Sequence, residues 1–187
     1  MNKERYLVVL SGPSGTGKDT VVSRLMELHD NIELSVSATT REMREGEQEG
    51  VNYYYKSIPE FEEMIRNGKI LEYTLYCDNY YGTPRDQVEA RLEQKTTVVL
   101  VIEVEGGHNV KKIYPDCTTV FVNAPSFEEL ERRLRSRATD SEEAILKRLD
   151  KARAEIAAAE DYDYHIVNDD LDTCVEELYR ILVERQA

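Results

Sequence analysis

This 187-residue chain has few cysteines, no long apolar run and fewer basic than acidic residues. Its three cysteines, Cys77, Cys117 and Cys174, are an odd number, lie far apart and form no C-x-x-C pair. That scatter argues against a disulfide framework or a zinc site and fits a reducing, cytoplasmic setting. No segment approaches the roughly 18 apolar residues of a membrane span. The opening MNKERYLVVLSG holds too short an apolar run for a signal peptide. Repeats and low-complexity tracts are absent as well. Lysine and arginine number 24 against 37 acidic residues, a formal net charge of -13. A protein that wraps nucleic acid through its phosphates needs a basic surface, so nucleic acid is not expected as the main partner. Small phosphorylated ligands stay open, since a few local arginines and a loop of backbone N–H groups can bind them.

Hydrophobic residues make up 41% and charged residues 33%, an ordinary balance for one domain with a sizeable core. Tyr6–Ser11, Thr96–Val104 and Thr118–Val122 read as short continuous apolar strands buried on both faces. Glu33–Ser37 and Tyr164–Asn168 are weaker strand candidates. Helical patterns fall between them, at Thr20–Leu28, Pro84–Glu93, Ser126–Ser136, Ser141–Glu160 and Leu171–Arg185. This alternation predicts an α/β fold with a parallel sheet. Two stretches break the rhythm. Ala38–Tyr81 is polar and tyrosine-rich, with only a short helix predicted near Pro59–Asn67; Arg132–Arg153 is dense in arginine. Both are expected to be lobes at the ligand end of the sheet. In the second, Ser126 and Glu129 have capping-box spacing. Leu130 and Leu134 share one face, and Arg133 and Arg137 another. Ile145, Leu149, Ala152 and Ile156 form an apolar stripe with Arg148 at its edge.

Between the first strand and the first helix stands SGPSGTGKDT, Ser11–Thr20. Its Gly12, Gly15, Gly17 and Lys18 suit a phosphate-binding loop. Glycines let successive N–H groups turn inward, the helix N-terminus adds partial positive charge, and Lys18 supplies a full one. The usual pattern continues with Ser or Thr, whose hydroxyl holds Mg²⁺. Here Asp19 takes that place and Thr20 follows. Asp19 either points outward as a first-turn acid or holds Mg²⁺ directly or through water, with the outward position slightly favoured. Further on, Arg41 and Arg44 are three apart and Tyr53–Tyr55 follow. Arginine forks match phosphate oxygens and tyrosines add neutral donors, so a second anion site is expected.

SGPSGTGK, then SVSATTR with Arg44, Gly46-Glu47 and Asn52-Tyr53, then NYYGTP, RRLRSR, KRL and IVNDDLD appear in this order along nearly the whole chain. In this the sequence resembles the guanylate kinase family. The resemblance implies a P-loop NTPase core, a parallel sheet flanked by helices, with an inserted GMP-binding lobe and a helical lid. One domain would span 1–187, with core at 1–37, 86–125 and 160–187, GMP lobe at 38–85 and lid at 126–159. It implies Mg²⁺-dependent transfer from ATP to GMP, and also to dGMP, with no obligate protein partner. ATP would lie on Gly12, Pro13, Ser14, Gly15, Thr16, Gly17, Lys18, Asp19, Thr20 and Asn168, with Thr20 and Asp19 toward the metal. Arg41, Arg44, Glu47, Tyr53 and Tyr81 would serve the GMP phosphate. Glu72, with Ser37 and Thr83, would read guanine, and Glu103 would lie near both nucleotides. Lys18, Arg41, Arg133, Arg137 and Arg148 would carry the chemistry. A site built around a donor pair rejects ligands lacking it by on the order of 10⁴-fold. The chain departs from the family at Asp19, Met43, Val101, Glu103, Glu105 and Ala138. Two other functions fit less well. A non-catalytic guanylate-kinase-like protein-binding domain usually loses the loop lysine or the arginines. A kinase for another small phosphate would not need Glu72 and the guanine-type run.

Overall fold

The structure is a computed structural model describing residues 6–76, 78–94, 96–136 and 141–184. Strand β1 (Tyr6–Ser11) is buried along its whole length. It leads through the Gly-rich loop into α1 (Lys18–Leu28), then β2 (Ile32–Leu34). Next come β3 (Ala38–Thr39), β4 (Tyr54–Tyr55), α2 (Ile58–Arg66), β5 (Ile70–Tyr76) and β6 (Asn79–Pro84). The chain returns through α3 (Arg85–Glu93), β7 (Thr97–Val101), α4 (Val104–Ile113) and β8 (Thr118–Asn123). It ends with α5 (Phe127–Ser136), α6 (Glu142–Ala158), β9 (Tyr164–Val167) and α7 (Leu171–Glu184).

One sheet has the order β2-β7-β1-β8-β9, and every pairing in it is parallel. Successive strand side chains point to opposite faces. Val8 and Leu10 therefore meet Val21, Leu25, Val175 and Leu178 of α1 and α7. Leu7 and Val9 meet Val88, Leu92, Val104 and Val110 of α3 and α4 on the other face. Both faces are covered, which explains why β1 is apolar at nearly every position. The α/β fold with a parallel sheet is as the sequence predicts. Helices α5 and α6 enclose their own small core of Leu130, Leu134, Ile145, Leu149 and Ala152. Ile156, expected on the same stripe, is exposed instead.

Three sequence expectations need correction. The stretch 38–84 is not helix and loop alone. It holds a second sheet of order β4-β3-β6-β5 around Ala38, Phe61 and Ile70. Two of its strands are two residues long, too short to show alternation, and β5 mixes Glu72 and Thr74 among apolar residues. The strand expected to run to Val104 stops at Val101, and Glu103 is the N-cap of α4. That helix hides behind Gly106-Gly107, since each glycine lowers helix propensity by about 1 kcal/mol. Both sit in tight packing. A Cβ on Gly106 would come within 2.5 Å of Glu72 Oε2, and Gly107 abuts the Tyr162 hydroxyl. Finally, only half of the Ser126–Glu129 box forms. The Glu129 amide donates to Ser126 Oγ (3.1 Å), but its carboxylate accepts from Arg132 and Arg133. By contrast Ser57 and Glu60 make a complete box at the start of α2, a signal that the sequence carries and that had gone unread.

Candidate active site

The loop at residues 12–17 leaves the buried end of β1 and enters α1 at its N-cap, Gly17. Gly17 has φ of 83°, the left-handed region where a side chain is strained. A Cβ there would also approach Asn168 Nδ2 to 2.6 Å. Asn168 follows β9 and is 8% exposed; its amide donates to the Thr16 carbonyl at 2.7 Å. It braces the loop from behind, and it is not on the cleft wall. Thr16, fully buried, ties the loop internally by donating to the Pro13 carbonyl at 3.0 Å. Lys18 Nζ donates to the carbonyls of Gly12 (2.5 Å) and Pro13 (3.1 Å), so the ammonium curls over the loop. Leu130 and Leu134 pack beside Gly15, which seats α5 directly on the loop.

A cleft of about 420 Å³ runs from this loop to the second sheet, within the usual range for small-molecule sites. Gly12, Ser14, Gly15, Gly17, Lys18, Asp19 and Thr20 line its near end. Ser37, Tyr53, Glu72 and Tyr81 line its far end, and Glu103 and Arg148 the middle. Asp19 is an exposed acid in the first turn of α1 and is among the residues lining this cleft. Its charge reaches Tyr53, whose hydroxyl pKa is raised first by burial and also by Tyr81 and Asp19.

Glu72 is buried, 6% exposed, although it sits in a strand beside another buried residue, Leu71. A register shift between Ile70 and Tyr73 turns both inward. Thr83 Oγ1 donates to Glu72 Oε1 at 2.6 Å. Burial pushes the Glu72 carboxyl up to about 7; the Thr83 bond opposes this and the Glu103 charge adds to it. Thr83 itself lies behind Glu72, 1% exposed.

Arg41 lies off the cleft wall. Its guanidinium grips Glu47 with two bonds, 3.0 and 2.8 Å, and stands 5.4 Å from the Tyr53 ring centroid. Glu47 also accepts from the Arg44 amide (2.8 Å) and the Tyr55 hydroxyl (2.8 Å). Its carboxyl is held down at about 2, first by Arg41 and then by the Arg44 amide. The structure thus gives Glu47 to Arg41, as a positioning partner. The Arg44 side chain is exposed at the rim of the lobe. On α5, Arg133 Nε donates to Glu129 at 2.8 Å and lies off the cleft wall. Arg137 and Ala138 lie outside the described residues.

Sequence reading missed Lys151 and Glu155, which line the cleft on α6 with Arg148. Lys151 stands one turn beyond Arg148, and that spacing was the available signal. No group of three or more His, Cys, Asp or Glu residues among the described residues could form a metal cage. Thr20 and Asp19 offer a hydroxyl and a carboxylate on the cleft wall. That suits Mg²⁺, which takes one or two carboxylates, substrate phosphates and several waters rather than an all-protein cage.

A Gly-rich loop between a central parallel strand and the helix after it, opening into a deep polar cleft, defines a P-loop NTPase core. The guanylate kinase family model matches residues 4–185. "Guanylate kinase" of Rickettsia conorii is 46% identical over 97% of this chain and 80% of its own length. That of Lactococcus lactis is 47% identical over 97% and 89%. The crystal structure of guanylate kinase from Anaplasma phagocytophilum superposes with a TM-score of 0.81, at 34% identity, over 100% of this chain and 88% of that one. The chain belongs to the guanylate kinase family. The SH3-kinase fragment of tight junction protein 3 shares the fold alone, at 16% identity and a TM-score of 0.52 over 97% of this chain and 58% of that one.

Proposed function

We propose that this protein transfers the γ-phosphoryl group of ATP to GMP, and to dGMP, giving the nucleoside diphosphate. The observation that carries the reading is Glu72, a buried carboxylate at the far end of a cleft that begins at the phosphate loop. Guanine presents N1–H and a 2-amino group side by side, and a carboxylate accepts from both. AMP lacks that pair and would leave Glu72 buried and unpaired, a costly arrangement. Tyr53 and Tyr81, with Arg41 behind them and Arg44 at the rim, serve the GMP phosphate. Lys18 and the loop amides hold the ATP phosphates, with Asn168 fixing the loop that carries them. Arg133, Arg137 and Arg148 neutralise charge on the transferred group. The acceptor phosphate oxygen is already largely ionised, so the protein's task is in-line positioning and charge compensation rather than base catalysis.

Mg²⁺ would be held by Thr20 and Asp19 and, when bound, neutralises charge on the donor phosphates. The inserted sheet and the α5–α6 pair form the GMP lobe and the lid over the core, excluding water from the reacting phosphoryl group. The protein works in the cytoplasm with ATP and GMP as partners; no helix among the described residues is long and apolar enough to cross a membrane. A coupled assay with GMP, dGMP, AMP and CMP tests the whole reading. GMP and dGMP should turn over and AMP and CMP should not. No GDP from GMP ends the enzyme reading, and equal rates with AMP end the role of Glu72.

A further inference from the structure

The cleft contains a cation that the motifs do not include. Lys151 extends from α6 into the middle of the cleft, on the same side as Arg148 three residues earlier. Its Nζ donates to Glu103 Oε1 at 2.6 Å and lies 3.9 Å from Glu155. Glu103 is the N-cap residue of α4, yet its side chain makes no cap hydrogen bond. Short side chains such as Asp or Ser at that position accept from the first helical amides, whereas the longer Glu103 is free to reach elsewhere. Here it reaches across to Lys151 instead, which links the α5–α6 pair to the core at the level of the cleft.

Stability does not account for this pair. Both side chains are about 40% exposed, 38% for Lys151 and 40% for Glu103. Ion pairs this open to water typically contribute less than about 1 kcal/mol. The charge balance of the cleft gives a stronger reason. Among the described residues, the cations lining it are Lys18, Arg148 and Lys151, against the four carboxylates of Asp19, Glu72, Glu103 and Glu155. Two nucleotides bring several further negative charges into the same space. Lys151 is the cation in contact with both Glu103 and Glu155, so without it these two carboxylates would face the phosphates with less compensation, and like charges repel in a partly buried site. Glu155 already reports crowding: burial raises its pKa, Lys151 and Lys18 lower it, and Glu103 raises it. Lys18 and Lys151 therefore act on the same carboxylate, and Lys151 also holds Glu103.

We propose that Lys151 is a further phosphate-contacting cation of the phosphotransfer site, with Glu103 as the carboxylate that aims it. This rests on the kinase reading above. An ammonium carries three N–H donors, so it can serve Glu103 and a phosphate oxygen together. It lines the same cleft as the loop lysine Lys18, where the phosphates that change charge during transfer are the anions it would meet, so its contribution belongs in kcat and not in the binding of guanine.

The test is steady-state kinetics with ATP and GMP on four proteins: wild type, Lys151→Ala, Lys151→Arg and Lys147→Ala. Lys147 lies on the same helix, is 75% exposed and pairs with Glu143, so it controls for loss of a charge on α6. Lys151→Ala should lose about 10- to 100-fold in kcat, with KM for GMP within about threefold and the melting temperature unchanged within a degree or two. Lys151→Arg should recover most of the loss, and Lys147→Ala should match wild type. A kcat for Lys151→Ala within threefold of wild type overturns the proposal. So does a loss that Lys151→Arg fails to recover or that Lys147→Ala reproduces. An inactive wild type would instead overturn the kinase reading itself, so the two failures are distinguishable.

Discussion

At one end of the cleft the proposed anion site is made largely of backbone: glycines shape the loop, Asn168 holds the Thr16 carbonyl, and Lys18 is the single cation the loop supplies. At the other end it is made of side chains held by other side chains, Arg41 by Glu47 and Glu72 by Thr83. A backbone site depends on what is missing, since a Cβ at Gly17 would meet Asn168. It is insensitive to pH, because amides do not titrate. A side-chain site depends on the partner of each functional group, and it inherits the titration of every carboxylate in the network. Specificity therefore belongs at the side-chain end, where one proton or one amide changes what is recognised.

The largest expected effect tests the backbone end. Lys18→Ala should lower kcat by about 10³-fold, since it removes the full charge the loop contributes. Ser14→Ala, at an exposed loop position, should stay within about threefold. Comparable losses in the two would show that loop side chains, and not the backbone, carry phosphate binding.

Glu72→Gln comes next and tests the side-chain end. It should cost about 100-fold in kcat/KM for GMP, because an amide cannot accept from both guanine donors. The pH dependence has a defined sign. Glu72 must be ionised to accept both N–H groups, and its carboxyl titrates at about 7. KM for GMP should therefore rise as pH falls from 8 to 6, and Glu72→Gln should lack that rise. Stability moves the other way. A carboxyl whose folded pKa is raised from 4.5 to about 7 favours its protonated form in the fold. Its penalty is absent below about pH 4.5, grows up to pH 7 and is constant above, reaching on the order of 3 kcal/mol. Glu72→Gln should raise the melting temperature at pH 8 by several degrees, and that gain should shrink towards pH 4.5 in scanning calorimetry.

A smaller effect is expected at Glu47. Glu47→Gln keeps the shape but weakens the two-pronged hold on Arg41, so KM for GMP should rise about tenfold with kcat within threefold. With its carboxyl held at about 2, the Glu47 contribution is fully present above about pH 4.5 and is lost only as pH falls toward 2. Between pH 6 and 8 this variant should show the same pH profile as wild type, in contrast to Glu72→Gln.

The same division explains what could be read from the letters. The loop was legible because its glycines and lysine are contiguous and sit between an apolar run and a helix. The parallel sheet was legible because strands covered on both faces are nearly pure Val, Leu and Phe. The second sheet was not, since its inward and outward residues are mixed within strands as short as two residues. Helix α4 was hidden by Gly106-Gly107, present for close packing and against local propensity. Glu47 drew notice as part of a motif, but its role as partner to Arg41 depends on where 55 and 44 come to lie. Lys151 belongs to no motif, and its spacing of one turn from Arg148 is a weak signal on its own. Only the docking of α6 beside Glu103 reveals it.

The smallest effect concerns Asp19, which sets the two ends of the cleft against each other within one residue. It is an acidic side chain placed beside Lys18 at the end of a loop whose other proposed phosphate contacts are backbone amides. It is among the residues lining the cleft, and its charge acts on Tyr53 across it. A carboxylate there repels phosphate unless a cation stands between them, and hydrated Mg²⁺ is the natural one. Asp19→Ser restores the hydroxyl of the usual loop pattern. If Asp19 reaches the metal shell, this change should raise the Mg²⁺ concentration for half-maximal rate by about three- to tenfold, with kcat at saturating Mg²⁺ little altered. Direct Mn²⁺ binding followed by electron paramagnetic resonance, with ATP present, should show the same weakening. An unchanged Mg²⁺ requirement in both measurements would leave Asp19 as a first-turn acid that favours the dipole of α1, and Thr20 would then supply the protein's contact to the metal.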